Sequence, residues 1–500
     1  MQAYSLEQSI MEGKIEVNDL FEFVKMNAET FDAYDIERAI FEKVLKIGNT
    51  AMKCYFAAKG TGDAGPFYIT ESKDVLKKDS QLRGRQYFSV FGKLTVPRSY
   101  YYLKGQKGIC PLDATANFPE RCYSYLLQEW MNLCSIRDSF KESHVTLSSL
   151  LKLDINSSRF EVVNRDGADQ YDKFYEDKEL PSPDTEGELQ VVQFDGKGVP
   201  VIKREAAKIK ARLGKGEKRQ KTKEATVGVS YTVDRVTRTP KEVAENLVYP
   251  ENRQKRKEKQ GNPPVRSKNI RREASLTRSR EEVMSDIITD AQRRNRNNKR
   301  PWVVVMDGAL GLWSAIALLL SGVNWVGILD IIHVVEYLWK AGNALYGEGK
   351  PETQKWVYNH LLAILQGRVG RVIGGLKQVM TKRESQLSKK KQETLQSVIR
   401  YMENHKQWMK YDEYLLKGYP IGSGIVESTC GHTVKNRMEG AGRRWSLDGA
   451  EFMLLLRSIY TSNDWGEYWH FKRNKEHERL YNYEVIGQRY ADDYLEKKVI

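Results

Sequence analysis

The chain has 500 residues, too many for one hydrophobic core and enough for about three domains. With 40% hydrophobic and 29% charged residues it has a globular composition, which excludes a disordered or fibrous protein. The net charge of +15 is clustered, since residues 252–300 hold 16 Lys and Arg against 6 Asp and Glu. Such a cluster points to a polyanion, most simply nucleic acid, with a solvated basic surface as the plainer reading. The cysteines (Cys54, Cys110, Cys122, Cys134, Cys430) include no C-x-x-C pair, so no zinc ribbon or redox motif is expected. Their odd number, and a start without signal-peptide character, fit a reducing cytoplasm.

Residues 1–60 are helical in pattern: Phe21, Val24, Ile36, Ile40, Val44 and Ile47 recur at three-to-four spacing. This helical pair is either core or a dimerisation surface. Residues 61–180 follow as a DNA-binding region, with a hairpin predicted over Gln86–Val90 and Lys93–Val96 around Phe91-Gly92. Tyr100, Tyr101 and Tyr102 read as packing residues before base-stacking ones. Residues 122–180 are predicted helical, with a turn near Leu153–Asn156 and Ser157 capping the next helix, in the manner of a helix-turn-helix. Pro181 to Gly187 is a linker.

Beyond it, a strand over Leu189–Phe194 ends at Asp195, a basic stretch runs from Lys203 to Lys223, and a strand returns over Ala225–Val233. A helix over Glu281–Arg294 precedes a strand from Trp302 to Asp307, a helix near Leu312–Leu320 and a strand Trp325–Leu329 ending at Asp330. Residues 308–329 carry no charge, but Gly322-Val323-Asn324 breaks them, so a buried helix and strand are expected and not a membrane span. The order matches a ribonuclease H-like α/β core, with its first part at 188–332 and its last part at 419–460. Between them, 333–418 is a helical insertion, in which Lys382–Lys391 reads as a solvated helix, and 461–500 is a charged helical tail.

Asp195 and Asp307 each end an apolar, β-branched run and are followed by Gly, the pattern that brings a side chain to the rim of a sheet. Glu427 follows Gly422-Ser423-Gly424 in the first turn of a helix, beside backbone N–H groups that favour phosphate. Each Asp alone is best read as an ordinary turn residue; the three together suggest a catalytic, metal-binding triad for in-line phosphoryl transfer. Magnesium suits such oxygen ligands, two ions being expected and Mn2+ a substitute.

Phe194-Asp195-Gly196-Lys197-Gly198-Val199-Pro200, Met306-Asp307-Gly308-Ala309 and Tyr419–Glu427 together resemble the three blocks of bacterial insertion-sequence DDE transposases of the ISKra-type group. Leu329–Leu338, Gly216–Arg219, Arg437-Met438 and Arg444-Trp445 extend the resemblance over about residues 85–460. It implies metal-dependent cleavage and joining of double-stranded DNA at element ends, in a nucleoid-associated homodimer or larger assembly. Relatives carry a C-x-x-C ribbon before the block matching Pro111-Leu112-Asp113, where this chain keeps only Cys110. The expected DNA contacts are Lys197, His333, Ser423, Lys435, Arg437, Arg443, Arg444 and Trp445. Ser423 is read first as a helix cap, Trp445 as a base-stacking or a core residue, and His333 as a phosphate-orienting or a structural one. Asp330 and His333 form a D-x-x-H step and are not read as metal ligands. Two other classes fit part of the pattern: a ribonuclease H-like nuclease or resolvase that does not join strands, and a host-adopted DNA-binding protein.

Overall fold

The computed structural model describes residues 1–70, 73–106, 108–208, 221–252, 266–440 and 442–481. Much of the basic stretch at 203–223, part of the 252–300 cluster and the end of the tail lie outside the described residues. The fold is α/β and divides into two compact units, Met1–Phe174 with the residues from Trp465 onward, and Tyr175–Asp464.

In the first unit, helices α1 (Leu6–Asn27) and α2 (Ala33–Lys59) form an antiparallel pair. Ser5 and Asp32 cap them by accepting from Gln8 N and Asp35 N. Ion pairs Glu12–Lys53 at 2.6 Å and Glu16–Lys46 at 3.2 Å set their register. Strands β1 (Phe67–Ile69), β2 (Val75–Lys78) and β5 (Tyr101–Tyr102) make a small sheet. Between β2 and β5 in sequence, β3 (Arg83–Ser89) and β4 (Gly92–Arg98) form the predicted hairpin, β3 starting before Gln86 and stopping one residue short of Val90, and β4 running on past Val96. Its turn requires glycine, because Gly92 has φ +130°. Of the three tyrosines read as packing residues, Tyr101 is fully buried, its hydroxyl donating to Gly65 O at 2.9 Å, whereas Tyr102, on the opposite face of its strand, is 40% exposed.

Helices α3 (Tyr125–Ser135), α4 (Phe140–Leu151) and α5 (Ser158–Gly167) follow. The expected cap at Ser157 is not made; Asn156 Oδ1 accepts from Ser158 N at 2.9 Å instead. An Asx side chain two residues upstream reaches the backbone without strain, whereas Ser157 already has helical φ and ψ. The helix Trp465–Leu480 belongs to this unit: Tyr468 donates to Gly167 O and Lys472 pairs with Asp169, both at 2.6 Å.

The second unit is built on a five-stranded sheet: β6 (Leu189–Pro200), β7 (Thr222–Val233), β8 (Lys268–Ser275), β9 (Trp302–Met306) and β10 (Trp325–Leu329), in the order β10-β9-β6-β7-β8. β6, β7 and β8 pair antiparallel, while β9 and β10 run parallel to β6. Both faces of β9 are covered, which is why its sequence, WVVVM, is continuously apolar. Val192, Phe194, Val304 and Met306 pack under helices α6 (Arg280–Arg294) and α7 (Leu310–Leu319). Val191, Val303, Val305 and Ile328 share one core with α8 (Ile331–Tyr346), α9 (Pro351–Leu365), α10 (Val369–Lys382) and α11 (Lys389–His405). The insertion is therefore packed into the main core of this unit.

Two expectations change. β6 does not end at Asp195 but continues to Pro200, because β7 goes on pairing with it after the parallel ladder to β9 stops at Val192. Lys382–Lys391 is not one helix: Lys382 ends α10 and Lys389 opens α11, with the break between them where Leu387 packs against the core. The uncharged run 308–329 folds as α7 and β10, and no helix among the described residues is long and apolar enough to cross a membrane.

Candidate active site

Asp195 and Asp307 stand where the parallel ladder between β6 and β9 gives out. Asp307 follows the last residue of β9 and folds back on itself, with Ala309 N donating to its Oδ1 at 3.0 Å. Gly196 N donates to Asp195 Oδ1 at 2.7 Å. Burial first, and the charge of Asp307 as well, raise the Asp195 pKa from its ordinary value.

The Gly after Asp307 has a packing reason. A Cβ on Gly308 would lie 2.4 Å from Tyr401 Cε2 and 3.0 Å from His405 Nε2, both on α11. His405 also bonds Gly308 O through Nε2 at 2.8 Å, so the insertion clamps the loop that carries Asp307. Gly308→Ala is therefore expected to destabilise the protein by about 1–3 kcal/mol, as overpacking does. A lowered urea midpoint would report this, and an unchanged midpoint would remove the clamp from consideration.

Glu427 is carried by a short helix, α12 (Gly424–Thr429), which runs on through a π-helical stretch, Cys430–Lys435. Two tethers hold this turn to the sheet. The fully buried Gln193 of β6 donates to Gly422 O and accepts from Val426 N, both at 3.1 Å. Ile331 N donates to Ile421 O at 2.9 Å, at the head of α8.

Between these tethers lies Asp330, fully buried at the end of β10. Its carboxylate caps α8 through Ile332 N at 3.1 Å and accepts from both Ser423 N, at 3.1 Å, and Ser423 Oγ, at 2.7 Å. The same hydroxyl lies 2.8 Å from Glu427 Oε1. Ser423 thus makes no helix-capping bond; it bridges two carboxylates, because the turn places its hydroxyl between them. Burial first, and Glu427 besides, push the Asp330 pKa up.

Asp330, His333 and Glu427 each offer a ligand atom within 4.8 Å of the others, a spacing that a metal ion accepts. Asp195 and Asp307 are not in that group. Asp195 meets the Glu427 helix through Cys430, whose thiol lies 3.4 Å from Asp195 Oδ2. Burial and the Asp195 charge push the thiol pKa up, so it stays a donor.

Sequence reasoning passed over Gln193, Cys430 and Tyr401. The Tyr401 hydroxyl is buried without a hydrogen-bond partner, and its ring stacks on Tyr337 at 3.8 Å. Its pKa is raised by burial first and by the charges of Tyr337, Asp307 and Asp330, which puts it beside the acidic cluster. A polar residue inside an apolar strand was the only sequence signal for Gln193; the other two gave none.

Of the predicted DNA contacts, Lys435 and Arg444 are exposed. Lys197 Nζ lies 3.4 Å from Glu439, and the half-buried His333 lies 3.5 Å from Glu336. Arg443 donates to Arg437 O at 2.8 Å. Arg437 and Trp445 are buried against each other, guanidinium to ring 4.6 Å, and Trp445 Nε1 donates to Met438 O at 3.1 Å. Trp445 therefore takes the core-filling alternative, since its backbone also bonds Pro200 O and Ile202 N at the end of β6.

The raised Asp195 pKa has a stability consequence. A carboxyl with a higher pKa folded than unfolded binds its proton more tightly when folded, so stability falls as pH rises from about 4 through the raised value. Metal-free Asp195→Asn is expected to melt a few degrees above the wild type at pH 7 and level with it below pH ~4. Equal melting temperatures at pH 7 would contradict the shift.

These features define an α/β protein with an acidic cluster at the carboxyl ends of parallel strands. No protein-family model matches the chain, and no curated protein matches it.

Proposed function

We propose that the chain is a DDE transposase, with a ribonuclease H-like core in Tyr175–Asp464 and a DNA-binding role for the basic surfaces and the N-terminal region. The observation that carries the reading is convergence. Carboxylates separated by up to 232 positions, Asp195, Asp307, Asp330 and Glu427, gather at one end of a sheet of order β10-β9-β6-β7-β8. Ligands of open α/β sheets bind outside the carboxyl ends of the strands.

The donor set fits a hard cation. Asp195, Asp307 and Glu427 offer only oxygen, as Mg2+ requires, whereas His333 would add a nitrogen better suited to softer metals. Asp330 already faces three donors and is fully buried, which suits holding Ser423 rather than ligation. Asp195, Asp307 and Glu427 would hold two Mg2+ ions, with Mn2+ a substitute, supplying charge neutralisation at a phosphodiester and an activated water or 3′-hydroxyl. Gln193 and Ser423 fix the Glu427 turn, and His405 fixes the Asp307 loop, so the carboxylates are placed before DNA arrives. Lys435 and Arg444 are exposed, which leaves them able to neutralise a DNA backbone.

The test uses double-stranded DNA containing the ends that flank the gene, with purified protein in Mg2+ and in Ca2+. Nicks at the ends and joined products in Mg2+ alone are expected. Nicks without joining would favour the nuclease or resolvase reading, and binding without chemistry would favour an adopted DNA-binding protein.

A further inference from the structure

A cavity of about 740 Å3 opens at the end of the sheet opposite the acidic cluster. Gly187 and Glu188, just before β6, and Arg300 and Pro301, just before β9, form part of its wall. From Leu189 to Asp195 the strand covers roughly 20 Å at about 3.3 Å per residue, so a ligand here is remote from the carboxylates of the proposed active site. The lining is basic. Arg235, Arg293, Arg294, Arg296, Lys299 and Arg300 face a single lining carboxylate, Glu188. Glu188 already accepts from Arg235 N at 2.9 Å, and Glu186 and Asp290 hold Arg294 at 2.9 and 3.5 Å. Asp184, beside the wall residue Pro183, accepts from the Ser182 hydroxyl. Two of the remaining guanidiniums are fixed by neutral groups. Arg293 donates to Tyr175 O and Lys178 O at 2.7 and 3.0 Å, and Arg300 donates to Gly187 O at 2.8 Å and Pro183 O at 3.2 Å. Carbonyls orient a guanidinium without balancing its charge, and neither arginine uses all of its five N–H donors on them.

The plainer reading is that these cations answer the carboxyl end of α6. It accounts for Arg293 and Arg294, in the last turn of that helix, and for no others. Arg296, Lys299 and Arg300 lie beyond it on a loop, and Arg235 follows β7. The loop is held in shape. Asn297 and Asn298 take left-handed conformations, at φ +58° and +50°, which asparagine tolerates. Asn295 Oδ1 accepts from Arg300 N, and Trp302 Nε1 donates to Asn298 Oδ1, both at 2.9 Å. Arg296 and Lys299 stand exposed on this loop, and neither side chain has a polar partner among the described residues.

We propose that this cavity binds a condensed phosphate, pyrophosphate or a longer polyphosphate, through Arg235, Arg296, Lys299 and the spare donors of Arg293 and Arg300. Arginine forks match phosphate oxygens in bidentate geometry, and donors fixed before the anion arrives lose little entropy on binding it. The volume lies in the range of small-ligand sites. A single strand of nucleic acid leaves a different footprint, a basic groove that tracks the backbone with aromatic rings on which bases stack. Among the described residues no aromatic side chain lines this cavity. The inference does not depend on the chemistry proposed for the acidic cluster.

The test is a calorimetric titration of the full chain with tripolyphosphate, in metal-free buffer at physiological ionic strength. Saturable binding is expected, weakened by at least about tenfold in Arg296→Ala/Lys299→Ala, which removes two charged donors. Both positions are exposed, so circular dichroism should not change. Arg235→Ala, on a different segment, should weaken binding as well. Asp307→Asn should bind like the wild type, and neither sulfate nor duplex DNA at the same anion concentration should displace the ligand. Absence of saturable binding, or wild-type affinity in the doubly substituted chain, overturns the proposal. Lost binding in Asp307→Asn would move the anion to the acidic cluster, displacement by DNA would give the cavity to nucleic acid, and displacement by sulfate would leave only a general attraction for anions. Each of these overturns it too.

Discussion

Asp307→Asn is expected to abolish Mg2+-dependent cleavage and joining of element-end DNA, by at least about a thousandfold, while DNA affinity stays within a few-fold of wild type. The amide keeps the shape of the side chain and the bond from Ala309 N through its oxygen, so the loop clamped by His405 stays in place. What it loses is the charge that balances a cation and the second anionic oxygen. Because the substitution is isosteric at the end of β9, the sheet beneath has no reason to move. Gel analysis of nicked and joined products, with binding measured separately in Ca2+, resolves the two effects. Joining at the wild-type rate would remove Asp307 from the chemistry and, with it, the proposed mechanism. Equal loss of binding and turnover would instead assign Asp307 to DNA affinity.

Gln193→Leu should show how the Glu427 turn is held. The amide donates to Gly422 O and to the Tyr231 hydroxyl and accepts from Val426 N, all from a fully buried position. Leucine fills a similar volume but leaves a backbone carbonyl and a backbone N–H without partners. At about 1–3 kcal/mol for each buried unsatisfied group, the loss should be about 2–5 kcal/mol. A shift of Glu427 by about 1 Å is expected to lower turnover by about 10²-fold. Gln193→Glu keeps the acceptor for Val426 N but sets an oxygen against Gly422 O, so its loss should lie between those of wild type and Leu. Urea unfolding and single-turnover joining are the measurements. Stability and turnover both at wild-type level in Gln193→Leu would show that Ile331 N and Ser423 hold the turn without it.

Much of the strand pattern was legible in the chain itself. Trp302 to Met306 and Trp325 to Leu329 are apolar because both of their faces are covered, so burial wrote the runs that predict them. The hairpin around Phe91-Gly92 was legible for the same kind of reason, a backbone conformation that glycine adopts at no steric cost. Strand ends were less legible: β6 runs five residues past Asp195 because β7 supplies hydrogen-bond partners there, and a partner strand is not a local property.

The residues that line the acidic cluster divide along the same boundary. Asp195 and Asp307 stood out because each follows an apolar run and precedes a glycine, and Glu427 because Gly422-Ser423-Gly424 opens its helix, and that is local chemistry. Asp330 drew notice as the end of a strand and as part of a D-x-x-H step; its bonds to Ser423 come from a turn 93 positions away. Gln193, Cys430 and Tyr401 are ordinary in their own segments and acquire roles only from what folds against them. The sequence by itself determined β6, β7, β9 and β10 and placed Asp307 and Asp330 at strand ends, because those follow from hydrophobic period and backbone freedom; it did not show β8, whose residues Lys268–Ser275 carry no apolar run. Only the tertiary structure decided how the carboxylates are supported and why Gly308 must lack a side chain, because hydrogen bonds and close packing between distant segments leave no periodic trace in the chain.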